Sequence, residues 1–94
     1  MTFVTIGPNQ VRSEEGYVVW MKTPSQLHYT EGNHELIVPG EMMTGVTELL
    51  VSTSTIKQWR RPEGAEPINL DTRQRITGNI AAALDFMGIR YEFD

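Results

Sequence analysis

Two histidines are the first residues to weigh, because imidazole is the commonest metal ligand and a ready general base. His28 and His34 flank Glu31-Gly32-Asn33, and Glu35 follows His34. A zinc ion wants four ligands, or three and a water. Successive strand residues such as His34 and Glu35 point to opposite faces, so the set is expected to be cross-strand packing and not a metal site. The hydroxyl cluster Ser52-Thr53-Ser54-Thr55 raises the question of a nucleophile. A serine nucleophile needs an adjacent base and an oxyanion hole. No Gly-x-Ser-x-Gly elbow surrounds Ser54 and neither histidine is near it in sequence, so a small hydrolase built on Ser54 or His34 lacks its triad. The cluster reads instead as a corner leading into Ile56-Lys57-Gln58-Trp59. Glu14-Glu15 and the Glu63 and Glu66 pair lie in turn-rich stretches, where nothing would drive two carboxyl pKa values apart. Gly40 and Gly45 are isolated and no lysine follows them, so no phosphate loop is present. With no cysteine in the chain, disulfides, thiolate metal sites and cysteine nucleophiles are excluded. No catalytic residue, cofactor or metal is expected.

One segment combines cations with an aromatic ring: Lys57, Trp59, Arg60 and Arg61 could track a nucleic-acid backbone and stack a base. That gives a second functional reading, a small nucleic-acid-binding or regulatory module. Against it stands the charge. The net value is −4, and residues 1–55 alone carry Arg12 and Lys22 against Glu14, Glu15, Glu31, Glu35, Glu41 and Glu48. Nucleic-acid domains are usually basic, whereas an acidic surface favours a basic protein partner through electrostatic steering.

The elements that must position these residues are short. A chain of 94 residues is the length of one domain. The longest apolar runs, such as Val18-Val19-Trp20-Met21, fall far short of the roughly 20 residues of a membrane helix. The opening Met1-Thr2-Phe3-Val4-Thr5-Ile6-Gly7-Pro8 shows neither the basic start nor the apolar length of an export signal, so a cytoplasmic location is expected. Strands are expected over Phe3–Ile6, over Tyr17–Met21 (apolar on both faces, as a strand covered on both sides or a central one), around Leu27 and Tyr29, over Leu36–Val38 ending at Pro39-Gly40, and across Val46–Val51. Gly7-Pro8-Asn9 and Glu31-Gly32-Asn33 mark reversals. One helix is predicted from Asp71, read as N-cap with Gln74 completing a capping box, to Gly88, read as its left-handed closing residue. Ile76, Ile80, Ala83, Leu84 and Met87 form its core stripe. Arg75, Asn79, Ala82 and Phe86 align on a second row. Beyond Gly88 the period becomes two, a terminal strand over residues 89–93. The expected fold is α+β: a mostly antiparallel sheet of about five to six short strands, one C-terminal helix packed on one face, and a terminal strand.

Residues 29–93 also carry a wider pattern. Glu35-Leu36-Ile37-Val38-Pro39-Gly40-Glu41-Met42 precedes a hydrophobic strand, then Ser54-Thr55-Ile56-Lys57-Gln58-Trp59, Pro62, Ile68, a helix with Arg75-Ile76 and Ile80, and Gly88-Ile89-Arg90-Tyr91-Glu92-Phe93. This resembles the immunity protein 74 family, small proteins encoded beside bacterial polymorphic toxins. The resemblance implies a non-enzymatic protein that binds and neutralises a cognate toxin, and it transfers no catalytic residue. The acidic charge fits a basic toxin such as a nuclease domain. Glu31, Glu35 and Glu48, from neighbouring elements, are the expected acidic contacts. Phe86 with Arg75 is an expected anchor toward the toxin or toward a second copy in a homodimer.

Overall fold

The computed structural model describes residues 2–94. Met1, the first residue of the segment read for an export signal, lies outside them. Seven strands are found among the described residues: β1 (Phe3–Gly7), β2 (Gln10–Ser13), β3 (Tyr17–Thr23), β4 (Gln26–Glu31), β5 (His34–Met42), β6 (Leu49–Val51) and β7 (Tyr91–Phe93). They lie side by side in sequence order in a single sheet. Every neighbouring pair is antiparallel except β6 and β7, which run parallel because the helix α1 (Leu70–Met87) carries the chain back between them. The class is therefore the expected α+β, but with seven strands instead of five to six.

The additional strand is β2. It contains one large apolar residue, Val11, and its other buried side chain is Ser13, so no hydrophobic alternation announces it. The Ser13 hydroxyl accepts a hydrogen bond from the Glu15 amide (3.0 Å), which closes the turn into β3. Pairing with both β1 and β3 supplies what the sequence pattern lacks.

Pro39-Gly40 does not end β5. The strand continues to Met42, pairing with β4 as far as Pro39 and with β6 from Gly40 onward. These two residues are the point at which the strand changes neighbours. A Cβ on Gly40 would lie 2.8 Å from the Pro24 carbonyl oxygen and 3.3 Å from that of Leu50, so the close approach of three backbones requires glycine here. The expected strand across Val46–Val51 shortens to Leu49–Val51, and the terminal strand to Tyr91–Phe93.

The helix spans the predicted stretch with a different start. Its N-cap is Asn69, whose Oδ1 accepts from the Thr72 amide (2.8 Å), while Asp71 sits in the first turn. Asn and Asp are equally good caps, so the apolar periodicity could not decide between positions 69 and 71. The C-terminal end is as expected: Gly88 has φ 74°, its amide meets the Asp85 carbonyl and the Ile89 amide meets that of Leu84. Ile76, Ile80, Ala83 and Leu84 are buried and Met87 is partly so. They rest on Val11, Tyr17, Val19, Leu27, Tyr29, Leu36, Val38, Leu49 and Val51, the inward residues of five successive strands, β2 to β6. The helix covers one face of the sheet; the other carries no element among the described residues.

Candidate interaction surface

The two histidines fall on opposite faces. Cross-strand register places Trp20 beside His28 and His28 beside Ile37, all three directed away from α1. The Trp20 and His28 rings lie 5.2 Å apart, and the Lys22 ammonium sits 5.7 Å above the Trp20 ring. His34 shares the helix-side parity of Leu36 and Val38, and its ring lies 4.9 Å from that of Trp59. Among the described residues no group of three His, Asp or Glu side chains is gathered closely enough to hold a metal ion. His28 Nε2 is enclosed without a hydrogen-bond partner there. Burial lowers its pKa, helped by Lys22 and Arg60 and partly opposed by Glu35, so the ring is held neutral.

The hydroxyl cluster is a corner, as its turn chemistry suggests. Thr53–Thr55 form one 3₁₀ turn, the Thr55 hydroxyl donates to the Ser52 carbonyl (2.7 Å), and Ser54 donates through both its amide and its hydroxyl to Asp94 Oδ1 (3.2 Å each). Ser54 therefore ties the C-terminus to the corner. The cationic segment is laid along the edge of β5, with the Arg60 and Arg61 amides donating to the Glu35 carbonyl (2.7 and 3.1 Å). Trp59 packs inward, against Tyr29 (6.4 Å) and His34, so its ring is occupied by the protein's own aromatics while Lys57, Arg60 and Arg61 stay exposed.

Of the five residues expected to contact a partner, Glu31 and Arg75 are brought together and Glu35, Glu48 and Phe86 lie apart from them and from one another. Glu31 is bound: the Arg75 guanidinium engages both its carboxylate oxygens, and the Tyr29 hydroxyl donates to it (2.8 Å). Asn79, one helical turn beyond Arg75, donates to the same Tyr29 hydroxyl (2.9 Å). This network joins α1 to β4. Arg75 holds the Glu31 carboxyl below the usual carboxylate range against the opposing effect of burial, while burial pushes the Tyr29 phenol well up. Glu48 pairs with Arg90 (3.1 Å) at the far end of the sheet. Glu35 and Met42 are seven residues apart on β5, a length of roughly 23 Å at about 3.3 Å per residue, and Glu48 lies at the Met42 end, where its carbonyl accepts from Met43. Glu31, on the helix side, Glu35, on the opposite face, and Glu48 thus form no common acidic patch. Phe86 is half exposed (51%) and rests on Phe3 of β1, 5.3 Å away.

What the sequence reading missed is the uncovered face itself. The double-sided apolar run of β3 was expected to suit cover on both sides or a central position; it has the latter, with Val19 buried under α1 and Val18 and Trp20 half-buried on the open side. Val18, Trp20, His28, Ile37 and Leu50 share that side with Glu35, Glu41 and Glu92. Glu41, Leu50 and Glu92 are consecutive across three strands. Among the described residues, none of these three glutamates has a cationic partner within ion-pair distance; the ion pairs formed are those of Glu31 and Glu48. The signal was present in the alternation of β5, but the register that aligns it with β3 and β6 was not.

Compared with known protein families, residues 19–94 match the family described as Immunity protein 74. No curated protein and no solved structure matches the chain.

Proposed function

The chain belongs to the immunity protein 74 family, and from that membership we propose that it neutralises a cognate toxin by non-enzymatic protein–protein contact, through the sheet face that α1 leaves open. The observation that carries this reading is the open face: a half-buried tryptophan on β3 beside His28 and Lys22, and three glutamates on β5 and β7 without ion-pair partners among the described residues. Trp20 supplies an aromatic anchor of the kind that concentrates binding energy. Glu35, Glu41 and Glu92 supply a field that steers a basic partner, such as a nuclease domain. Glu31, Glu48 and Arg75, being satisfied within the fold, contribute less. Neutralisation takes place in the cytoplasm of the producing or a neighbouring cell, and the toxin's own substrate is excluded by occlusion.

The test is co-expression with the toxin domain encoded beside this chain, reading growth protection and copurification. The wild-type chain protects and copurifies. Trp20→Ala keeps its fold, because the ring is outside the helix-side core, and loses affinity by about tenfold or more, as truncating a central aromatic does. Full affinity in Trp20→Ala would place the contact elsewhere. The nucleic-acid reading keeps the exposed Lys57, Arg60 and Arg61 but loses its stacking ring; it requires a gel shift that weakens steeply with salt.

A further inference from the structure

The two edges of the sheet are built differently. β7, at one edge, is three residues long, carries Glu92 at its centre and is flanked by Arg90 and Asp94. Short length and charge are the usual protections of an edge strand. β1, at the other edge, has neither. Thr2 to Gly7 contain no charged residue and no proline, and Val4 and Ile6 are 48% and 42% exposed. Beside the strand on the helix side stands the half-exposed Phe86, resting on Phe3.

The register fixes what β1 offers outward. The Glu14 amide donates to the Thr2 carbonyl (3.0 Å), so Thr2 and Glu14 form a hydrogen-bonded pair, as do Val4 and Arg12 two residues on. The backbone groups of Phe3 and Thr5 therefore point away from β2, toward the free edge. We propose that β1 pairs with β1 of a second copy of this chain, antiparallel, about a two-fold axis at Val4. In that register the outward N–H and C=O of Phe3 in one copy meet those of Thr5 in the other, and the converse, giving four backbone hydrogen bonds. Every outward group of the regular part of the strand is then satisfied, ending where the bulge between Thr5 and Gly7 breaks the ladder. A second copy is the occupant because the edge is complementary to itself. Two chains of net charge −4 can meet along it without facing like charges, and the two Val4 side chains come together on one face. On the other face Phe86 of each copy shields the seam. β1 lies outside the residues that match the family, and its pairing leaves Trp20, Glu35, Glu41 and Glu92 uncovered, so a dimer would present two toxin-binding faces on one continuous sheet.

The chain's lack of cysteine makes the test direct. A non-hydrogen-bonded antiparallel pair has Cα atoms about 4.5 Å apart, inside the roughly 4.4–6.8 Å span of a disulfide. Val4→Cys should oxidise to a covalent dimer at least about tenfold faster than Val46→Cys, a more exposed control (78%), because pairing raises the local thiol concentration. Thr5→Pro, which removes an outward N–H that β2 does not use, should bring Val4→Cys down to the control rate. It should also shift the native chain toward monomer in sedimentation equilibrium. Equal rates for the two cysteine variants, fast Val4→Cys oxidation that ignores Thr5→Pro, or a wild-type chain that remains monomeric at every concentration would each overturn the pairing. None of these measurements involves the toxin, so the dimer and the toxin reading fail separately.

Discussion

A connected set of side-chain hydrogen bonds holds the fold together on the helix side of the sheet. Tyr29, Glu31, Arg75 and Asn79 form one connected group between β4 and α1, and the Tyr29 hydroxyl is both donor and acceptor within it. Tyr29→Phe removes that hydroxyl and leaves Asn79 and Glu31 each short of a partner, so it should cost about 1–3 kcal/mol in chemical denaturation. The same group sets an acid response. The folded Glu31 carboxyl has its pKa below the unfolded value, because Arg75 favours the charged form. Its stabilising contribution is complete above the unfolded pKa and is lost as pH falls through the folded one. Thermal melts between about pH 6 and pH 3 should therefore show a drop that is smaller in Glu31→Gln, which lacks the titrating carboxylate. An identical drop in the variant would assign the acid response to other carboxylates.

At the scale of elements, α1 is positioned by its ends as much as by its stripe. Asn69→Ala removes the side chain that satisfies the Thr72 amide and should cost about 1 kcal/mol. Asp71→Ala loses only a charge near the helix N-terminus, about 0.3–1 kcal/mol, which added salt should reduce further. A lower urea midpoint for Asp71→Ala than for Asn69→Ala would return the cap to Asp71. Gly78 lies in the middle of the helix on its outer side, where an added methyl would meet nothing within 4 Å. Gly78→Ala should accordingly raise stability by roughly 0.5–1 kcal/mol, through helix preference and the lost freedom of the unfolded chain. β5 shows the opposite constraint: its glycine stands where three backbones converge, so Gly40→Ala must displace the backbone of either the β3–β4 turn or β6.

For the whole molecule the decisive property is asymmetry. One face of the sheet is filled by α1, while the other presents Trp20, flanked by His28 and Lys22, and, on β5 and β7, glutamates left without ion-pair partners among the described residues. Long-range attraction acts on the encounter more than on the bound complex. Reversing Glu35 and Glu41 to lysine should thus slow association with a basic toxin and leave dissociation nearly unchanged, most clearly at low salt. The control is Glu48→Lys, whose carboxylate is already paired with Arg90. Surface plasmon resonance at two ionic strengths separates the cases. An on-rate equal to wild type in the double variant would remove steering by this face.

Local chemistry was legible without a structure wherever a residue's own type dictates its conformation or its side. Asn9, Gly32 and Gly88 occupy the left-handed region that their turns and the helix end require. The stripe of Ile76, Ile80, Ala83 and Leu84 is buried where 3.6-residue spacing placed it. The alternation of Leu27 with Tyr29, and of Ile89, Tyr91 and Phe93, faces the core as period two demands. The family pattern over residues 29–93 was legible for the same reason, since it is written in turns, breaks and apolar spacing. Register and pairing were not, because a strand's partner is chosen by contacts distant in sequence. Only the folded chain makes a strand of Gln10–Ser13, carries β5 through Pro39-Gly40, turns Glu31 toward Arg75 while Glu35 faces the other way, and leaves β1 as an uncharged edge. Each of those outcomes depends on which residues lie side by side across the sheet, and sequence spacing within one strand carries no information about that.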